Sequence, residues 1–279
     1  MIVIAAGPRS GSTLIYQLLV HALEVDYVSN FHYLMHRHPH AAFRLGRFMV
    51  PAYRSTFRSH YGFVAGPSGP AEAERFWEHW LDQSLTERAP HPAPERVGYI
   101  VSFFRSLFAA TGRPFVAGYI AHAFYVAQML DLFPDALVVC LRRDLASVAR
   151  SLLTLRTEHR DDPSAWFSML PQACRPWLGK APPEQVAAQA FHVDRALSLL
   201  PERFGSATLP LDYRTLCQDP RGVVEAVRSA MKVRGYDVRS RDNAVVPPSF
   251  PMSVHAPDDD PAARRIAEAL EDLGAHTHF

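Results

Sequence analysis

Apolar residues recur along this chain in two periods, and the alternation between them sets the expected fold. Ile2 to Ala6 is a short β-branched run that stops at Gly7-Pro8, and Thr13 to Leu23 then carries apolar residues at helical spacing. The pattern predicts strand, tight loop, helix. Further strands are expected over Asp26 to Ser29, Phe115 to Tyr119, Ala136 to Leu141 and Ser206 to Leu211. The fourth of the five is continuously apolar, as a strand buried on both faces requires. Helical segments are expected near Phe43 to Tyr53, over Ala71 to Leu85 and Arg96 to Ala110, after the third strand through Leu132, from about Leu145, and over Arg221 to Met231 and Pro261 to Leu273. In the segment from Ala71, the residues Phe76, Trp77, Trp80 and Leu81 share one helical face and read as core.

Strands that alternate with helices imply a mostly parallel sheet with right-handed crossovers. The expectation is therefore an α/β protein of the three-layer, P-loop type, a single domain over residues 1–279 with a mainly helical insertion at about 31–112. Ligands in such sheets bind beyond the carboxyl ends of the strands, so the loops there are where chemistry is sought.

Composition narrows the possible partners. A formal net charge of +1 leaves no excess of cations for a broad nucleic-acid surface, so any anion recognition must be local. Lys180 and Lys232 are the only lysines, so cationic contacts fall to arginine and histidine. Cys140, Cys174 and Cys217 are odd in number and widely spaced, which suggests neither a disulfide framework nor a zinc cluster, and fits a reducing compartment. Met1 to Ala6 runs straight into a turn without a basic leader or cleavage site, and Pro114 to Leu130 is too short and too polar to span a bilayer. A cytoplasmic, soluble protein with no membrane partner is expected.

Two segments carry candidate chemistry. Gly7-Pro8-Arg9-Ser10-Gly11-Ser12-Thr13 lies between the first strand and its helix, where successive N–H groups and the helix dipole cradle an anion. Against the triphosphatase pattern GxxxxGK[ST], Ala6 stands for the first glycine and Ser12 for the lysine, so the γ-phosphate clamp is missing. In the second segment the fourth strand ends at Arg142-Arg143, Asp144 is placed to cap the next helix, and Ser151 follows two turns along it. An arginine at a strand end and a hydroxyl on the following helix can converge on one phosphate.

The first segment resembles the 5′-phosphosulfate loop of sulfotransferases, P-[KR]-[ST]-G-[ST]-[ST], at every position from Pro8 to Thr13. The second resembles that family's 3′-phosphate motif R-[DN]-P-x(5)-S, with Arg143 and Ser151 as its Arg and Ser and Leu145 in place of the usual Pro. Leu132-Phe133-Pro134-Asp135-Ala136 is similar to the family's LFPDA lead, and Asp212 to Leu216 with Asp219-Pro220 to its YEDL…DP segment. The Gly- and Lys-rich C-terminal loop of the cytosolic hormone- and drug-conjugating members has no counterpart, which points to the bacterial branches.

The resemblance implies a PAPS-dependent sulfotransferase that moves a sulfuryl group onto a hydroxyl or amine and releases PAP, with no metal. It implies that Arg9, Ser10, Gly11, Ser12, Thr13, Arg143 and Ser151 bind the nucleotide, and that Arg9 stabilises the leaving phosphate. A general base is needed at the acceptor. His32 and His122, each just after a predicted strand, are the first candidates, with Glu72 and His60 behind them. His36, His38 and His40 alternate as metal ligands might, but lack an evident fourth ligand and read as solvated. The acceptor is a small molecule or glycan, its site lined by residues between Phe31 and Leu81. Two other readings stay open: a P-loop kinase of unusual type, which would need an acidic Mg²⁺ ligand that no predicted strand end clearly supplies, and a nucleotide-binding protein that has lost turnover.

Overall fold

The computed structural model describes residues 1–60, 62–159, 161–252 and 260–275. Its strands are β1 (Ile2–Ala6), β2 (Asp26–Tyr27), β3 (Phe115–Ala117), β4 (Leu137–Arg142) and β5 (Thr208–Asp212). They form one sheet in the order β2-β3-β1-β4-β5, and every neighbouring pair is parallel. The helices are α1 (Ser12–Ala22), α2 (Asn30–Leu34), α3 (Pro39–Met49), α4 (Glu74–Leu81), α5 (Pro94–Thr111), α6 (Val126–Leu132), α7 (Leu145–His159), α8 (Pro182–Ser198), α9 (Leu200–Phe204), α10 (Tyr213–Gln218), α11 (Pro220–Val233) and α12 (Pro261–Asp272). This is the α/β architecture that the alternating periods predict.

Side chains of β1 alternate between two cores because the pleat sends successive residues to opposite faces. Ile2, Ile4 and Ala6 pack with Ile15, Leu18 and Leu19 of α1 and with Val223, Val227 and Met231 of α11. Val3 and Ala5 face the aromatic layer of α4 and α5, where Phe76, Trp77, Phe103 and Phe104 are nearly fully buried. Each large apolar side chain so buried contributes about 1.5–3 kcal/mol, so the α4 aromatics are core residues. A smaller cluster joins α7, α8 and α12. Helix α8 has no counterpart among the predicted elements, yet it ties this cluster to the sheet: its Val193 and Leu197 join the core that holds Val138 and Cys140 of β4, and the fully buried Arg156 of α7 donates to its Gln185 and Gln189 at 2.9 and 3.0 Å.

Topology selects one place for a ligand. From central β1 the chain passes to β2 and β3 on one side and then to β4 and β5 on the other, so the loops leaving β1 and β4 diverge and open a crevice. Helices α2 to α5 lie between β2 and β3 in sequence. Strand β2 is shorter than the sequence suggests because Ser29 already caps α2, its hydroxyl accepting from the N–H of His32. The chain returns to this edge at residues 69–71: Asn30 N–H donates to Gly69 and Ala71 N–H donates to Val28, both at 2.9 Å.

Candidate active site

The loop after β1 has the shape of an anion cradle. Arg9 and Gly11 both adopt left-handed backbone, at φ 63° and 94°. The buried Ser10 turns its hydroxyl back to the Gly7 carbonyl at 2.7 Å, so this side chain shapes the loop and does not face a ligand. Helix α1 then starts without a side-chain cap. Among the described residues, the N–H groups of Ser12, Thr13 and Leu14 meet no loop carbonyl, which leaves them and the positive end of the helix dipole for an anion. Only glycine fits position 11, because a Cβ there would sit 2.6 Å from the Tyr213 ring as well as in left-handed backbone.

Strand β4 delivers two adjacent arginines, and their surroundings give them different work. Arg142 makes a bidentate pair with Asp194 of α8, both contacts at 2.7 Å, which neutralises it. Arg143 turns to the loop: it donates to the Arg9 carbonyl at 2.9 Å, and its guanidinium lies 4.3 Å from the centre of the Tyr213 ring. Asp144 caps α7 by accepting from Ser147 N–H at 2.7 Å, so Leu145 occupies the first helical position without loss of the cap. Arg9 Nε donates to the Ser151 hydroxyl at 2.9 Å. The two segments, 142 residues apart at that contact, thus form one polar cluster at the topological crevice. An open cleft beside it is lined by Arg143, Phe191, Leu211 and Thr215.

The β2 and β3 side is built differently. His32 belongs to the α2 cap: its Nδ1 accepts from Ser29 N–H at 3.2 Å, and its ring stacks on Phe43 at 3.9 Å and 7°. Burial lowers its pKa to about 4. His122 is fully buried against Trp77, and burial lowers its pKa to about 3. A chain of amides fixes its tautomer. Gln128 donates to Leu81, Gln83 donates to Gln128, and the Gln83 oxygen at 2.8 Å must therefore accept from His122 Nδ1–H. The other nitrogen, Nε2, is buried without a partner among the described residues. Both histidines are neutral packing groups at physiological pH, His122 closed off from solvent and His32 half-buried. His60 is exposed, with its backbone paired to Phe63. His40 packs on Tyr99 and Phe103, and no group of three metal-ligating residues occurs among the described residues.

Glu72 has the geometry the histidines lack. A Cβ on Gly62 would lie 3.7 Å from Thr13 Oγ1 and 3.8 Å from Glu72 Oε1, so the carboxylate and the loop hydroxyl border the same small gap. Burial, and secondarily the nearby Glu74, raise the Glu72 pKa to about 7. The next residue, Ala73, holds left-handed backbone at φ 57°, a conformation that costs a non-glycine residue roughly 1–2 kcal/mol. That turn starts α4 and brings Glu72 to the carboxyl end of the sheet. Tyr119, just past β3, is buried with no hydrogen-bond partner for its hydroxyl among the described residues. Burial foremost, and the charges of Glu74, Glu72 and Glu78, push its pKa up.

The sequence profile of the sulfotransferase family matches residues 2–237. The chain belongs to the sulfotransferase family. Among solved structures this sulfotransferase is similar to STF9 from Mycobacterium avium, at TM-score 0.50 and 15% identity, over 97% of this chain and 67% of that one. It is also similar to STF1 from Mycobacterium tuberculosis, at TM-score 0.48 and 16% identity, over 98% of this chain and 76% of that one. No curated protein sequence matches it.

Within this sulfotransferase, Arg9 contacts Ser151 and Arg143, and Gly11, Ser12 and Thr13 lie in the adjoining loop and helix start. His32 and His122 stand apart from that cluster in packing roles. Tyr213, which the sequence offers only as part of a segment similar to the family's YEDL…DP, packs on both the cradle and Arg143; its position immediately after β5 was the available signal. Strand β5 does end in an aspartate, Asp212, contrary to the sequence reading, but this carboxylate caps α10 through Arg214 N–H at 2.7 Å.

Proposed function

We propose that this sulfotransferase moves the sulfuryl group of PAPS onto a hydroxyl or amine of a small-molecule or glycan acceptor and releases PAP. The observation that carries the reading is the meeting of Arg9, Arg143 and Ser151 beside the unengaged N-terminus of α1. Two anionic groups of one nucleotide are served there: the 5′-phosphosulfate by the loop, and the 3′-phosphate by Arg143 and Ser151. PAPS and PAP are substrate and product, and the residues named need no metal to hold them.

Chemically, an acceptor oxygen or nitrogen forms a bond to sulfur while the bond from sulfur to the 5′-phosphate oxygen breaks, and the electron pair leaves on that oxygen. Arg9 answers the developing charge. The acceptor proton goes to Glu72, whose pKa near 7 suits a general base at neutral pH. Its position across the gap from Thr13 supports this role over either histidine.

Differential scanning fluorimetry with PAP, PAPS and ATP tests the reading. PAP and PAPS are expected to raise the melting temperature well above the effect of ATP with Mg²⁺, because the loop lacks the γ-phosphate lysine while a 3′-phosphate has its own partners. Equal or greater stabilisation by ATP overturns it in favour of the kinase reading. Binding of PAP with no transfer to any acceptor overturns turnover but keeps the site.

A further inference from the structure

Between Asp26 and Glu72 the chain contains no aspartate or glutamate, although it has 28 acidic residues in all; the same stretch holds five arginines and five histidines. Helix α3 lies within this region. Its buried residues Pro39, Ala42, Phe43 and Gly46 recur at the spacing of one helical face, and that face packs inward. At 100° per residue, Phe48 then lies at the outward crown, Leu45 and Met49 on one flank, and Arg44 and Arg47 on the other. The crown is apolar and open: Phe48 is 87% exposed, Met49 63%, and Leu34 on neighbouring α2 82%. Neither Arg44 nor Arg47 makes an ion pair among the described residues. Both also border a groove between α3 and α5 with an apolar floor of Phe43, Phe103 and Leu107.

An open apolar crown flanked by two arginines, in a stretch of sequence without aspartate or glutamate, is complementary to a surface that is both apolar and anionic. We propose that the outward face of α3 docks on an anionic lipid bilayer. Phe48 and Met49 enter the boundary between headgroups and acyl chains, and Arg44 and Arg47 meet the lipid phosphates. The attachment is peripheral, since no helix among the described residues is long and apolar enough to cross a membrane. The sequence expectation of no membrane partner rested on the lack of a spanning segment, which does not bear on a helix lying in the interface. One short helix gives weak, reversible binding that fades with salt. The inference does not rest on the transfer reaction.

Sedimentation of the whole protein with vesicles tests it. Vesicles of phosphatidylcholine and phosphatidylglycerol in equal parts are expected to carry the protein down at low salt, and pure phosphatidylcholine vesicles are not. Each arginine at an anionic surface strengthens binding about fivefold, so Arg44→Glu with Arg47→Glu is expected to weaken it more than tenfold, and Phe48→Ser by roughly tenfold. Phe48→Trp is expected to shift its emission to the blue with the anionic vesicles only. PAP titration should give the wild-type affinity for every variant, which separates a lost surface from a lost fold and keeps this result apart from the fate of the nucleotide reading. Equal binding to neutral vesicles, no binding to anionic ones, or charge-reversed variants that bind like wild type would each overturn the proposal. So would a dimer in ultracentrifugation that Phe48→Ser dissolves, which would give the face to a second copy of the chain.

Discussion

The carboxyl edge of the sheet has two halves built on different principles. Beyond β1 and β4, the candidate site lies in short contiguous segments shaped largely by backbone: a left-handed turn, an uncapped helix start, a capped helix after an arginine. Beyond β2 and β3, the candidate group is a single carboxylate carried in by a return of the chain some forty-five residues after the strand ends. The first half is a local motif, and the second is an assembly. Substitutions should therefore act on different quantities in the two halves: mainly donor binding in the first, where Arg9 also serves the chemical step, and the chemical step alone in the second.

The largest effect is expected on the assembled side. Glu72→Gln should lower kcat about 10²- to 10⁴-fold with PAP affinity unchanged, read by steady-state kinetics and calorimetry. The wild-type rate should climb with pH on the acid side and level off above about 7 as the carboxyl loses its proton. Stability should run the other way. The folded value lies above the unfolded one, so the group's contribution is full below the unfolded value and is lost as pH rises through about 7. Glu72→Gln should therefore melt higher than wild type at pH 8, and a variant that loses both rate and stability would mark Glu72 as merely structural.

Next in size is the motif side. A charge-assisted hydrogen bond is worth about 1.5–3 kcal/mol, so Arg143→Ala should weaken PAP roughly 10- to 150-fold. Adenosine 5′-phosphate, which lacks the 3′-phosphate, should bind almost as it does to wild type. Equal losses for both nucleotides would give Arg143 a general supporting role through the Arg9 carbonyl and Tyr213, and would blur the contrast between the halves.

The smallest effect on chemistry is expected at the histidines. His122→Leu should leave turnover at the wild-type level while the Gln83 oxygen, left without its donor, costs about 1–3 kcal/mol of stability. His32 and His122 both have folded pKa values below the unfolded one. Their contribution is thus present above the unfolded value of about 6.5 and is lost as pH falls toward the folded values near 4 and 3. Melting curves from pH 7 to pH 4 should be less pH-sensitive in His122→Leu; a loss of turnover at neutral pH would instead return the base to that ring.

What could be read in advance follows the same division. The order of strands and helices was legible because burial on both faces forces unbroken apolar runs, as in Leu137 to Leu141. Arg9, Arg143 and Ser151 could be named in advance because each is placed by the strand-to-helix step of its own segment, after β1 or after β4. Glu72 stood behind two histidines because nothing local marks it: its position depends on the left-handed turn at Ala73 and on pairing of residues 69–71 with the end of β2, both products of tertiary packing. His32 looked like a base since it follows a strand, yet the same closeness to Ser29 made it a capping residue. Helix α8 went unread although its residues Val186, Ala187, Ala190, Val193 and Leu197 recur at helical spacing. Its small alanines give a weak periodic signal, and only contact with α7 and α12 shows how much they bury.

The closeness of Tyr213 to Gly11 bears on how this sequence can drift over generations. The ring fills the space a side chain at 11 would need, so packing at position 213 and left-handed backbone both bear on position 11. A lineage that replaces Tyr213 with a smaller residue gains room above the cradle, but left-handed backbone still bars most residues from position 11. The change would leave a hollow beside Arg143 that only a compensating bulky neighbour refills. Drift at 213 is therefore expected only in company with a second substitution among the residues that border Arg143, and position 11 is expected to stay glycine throughout.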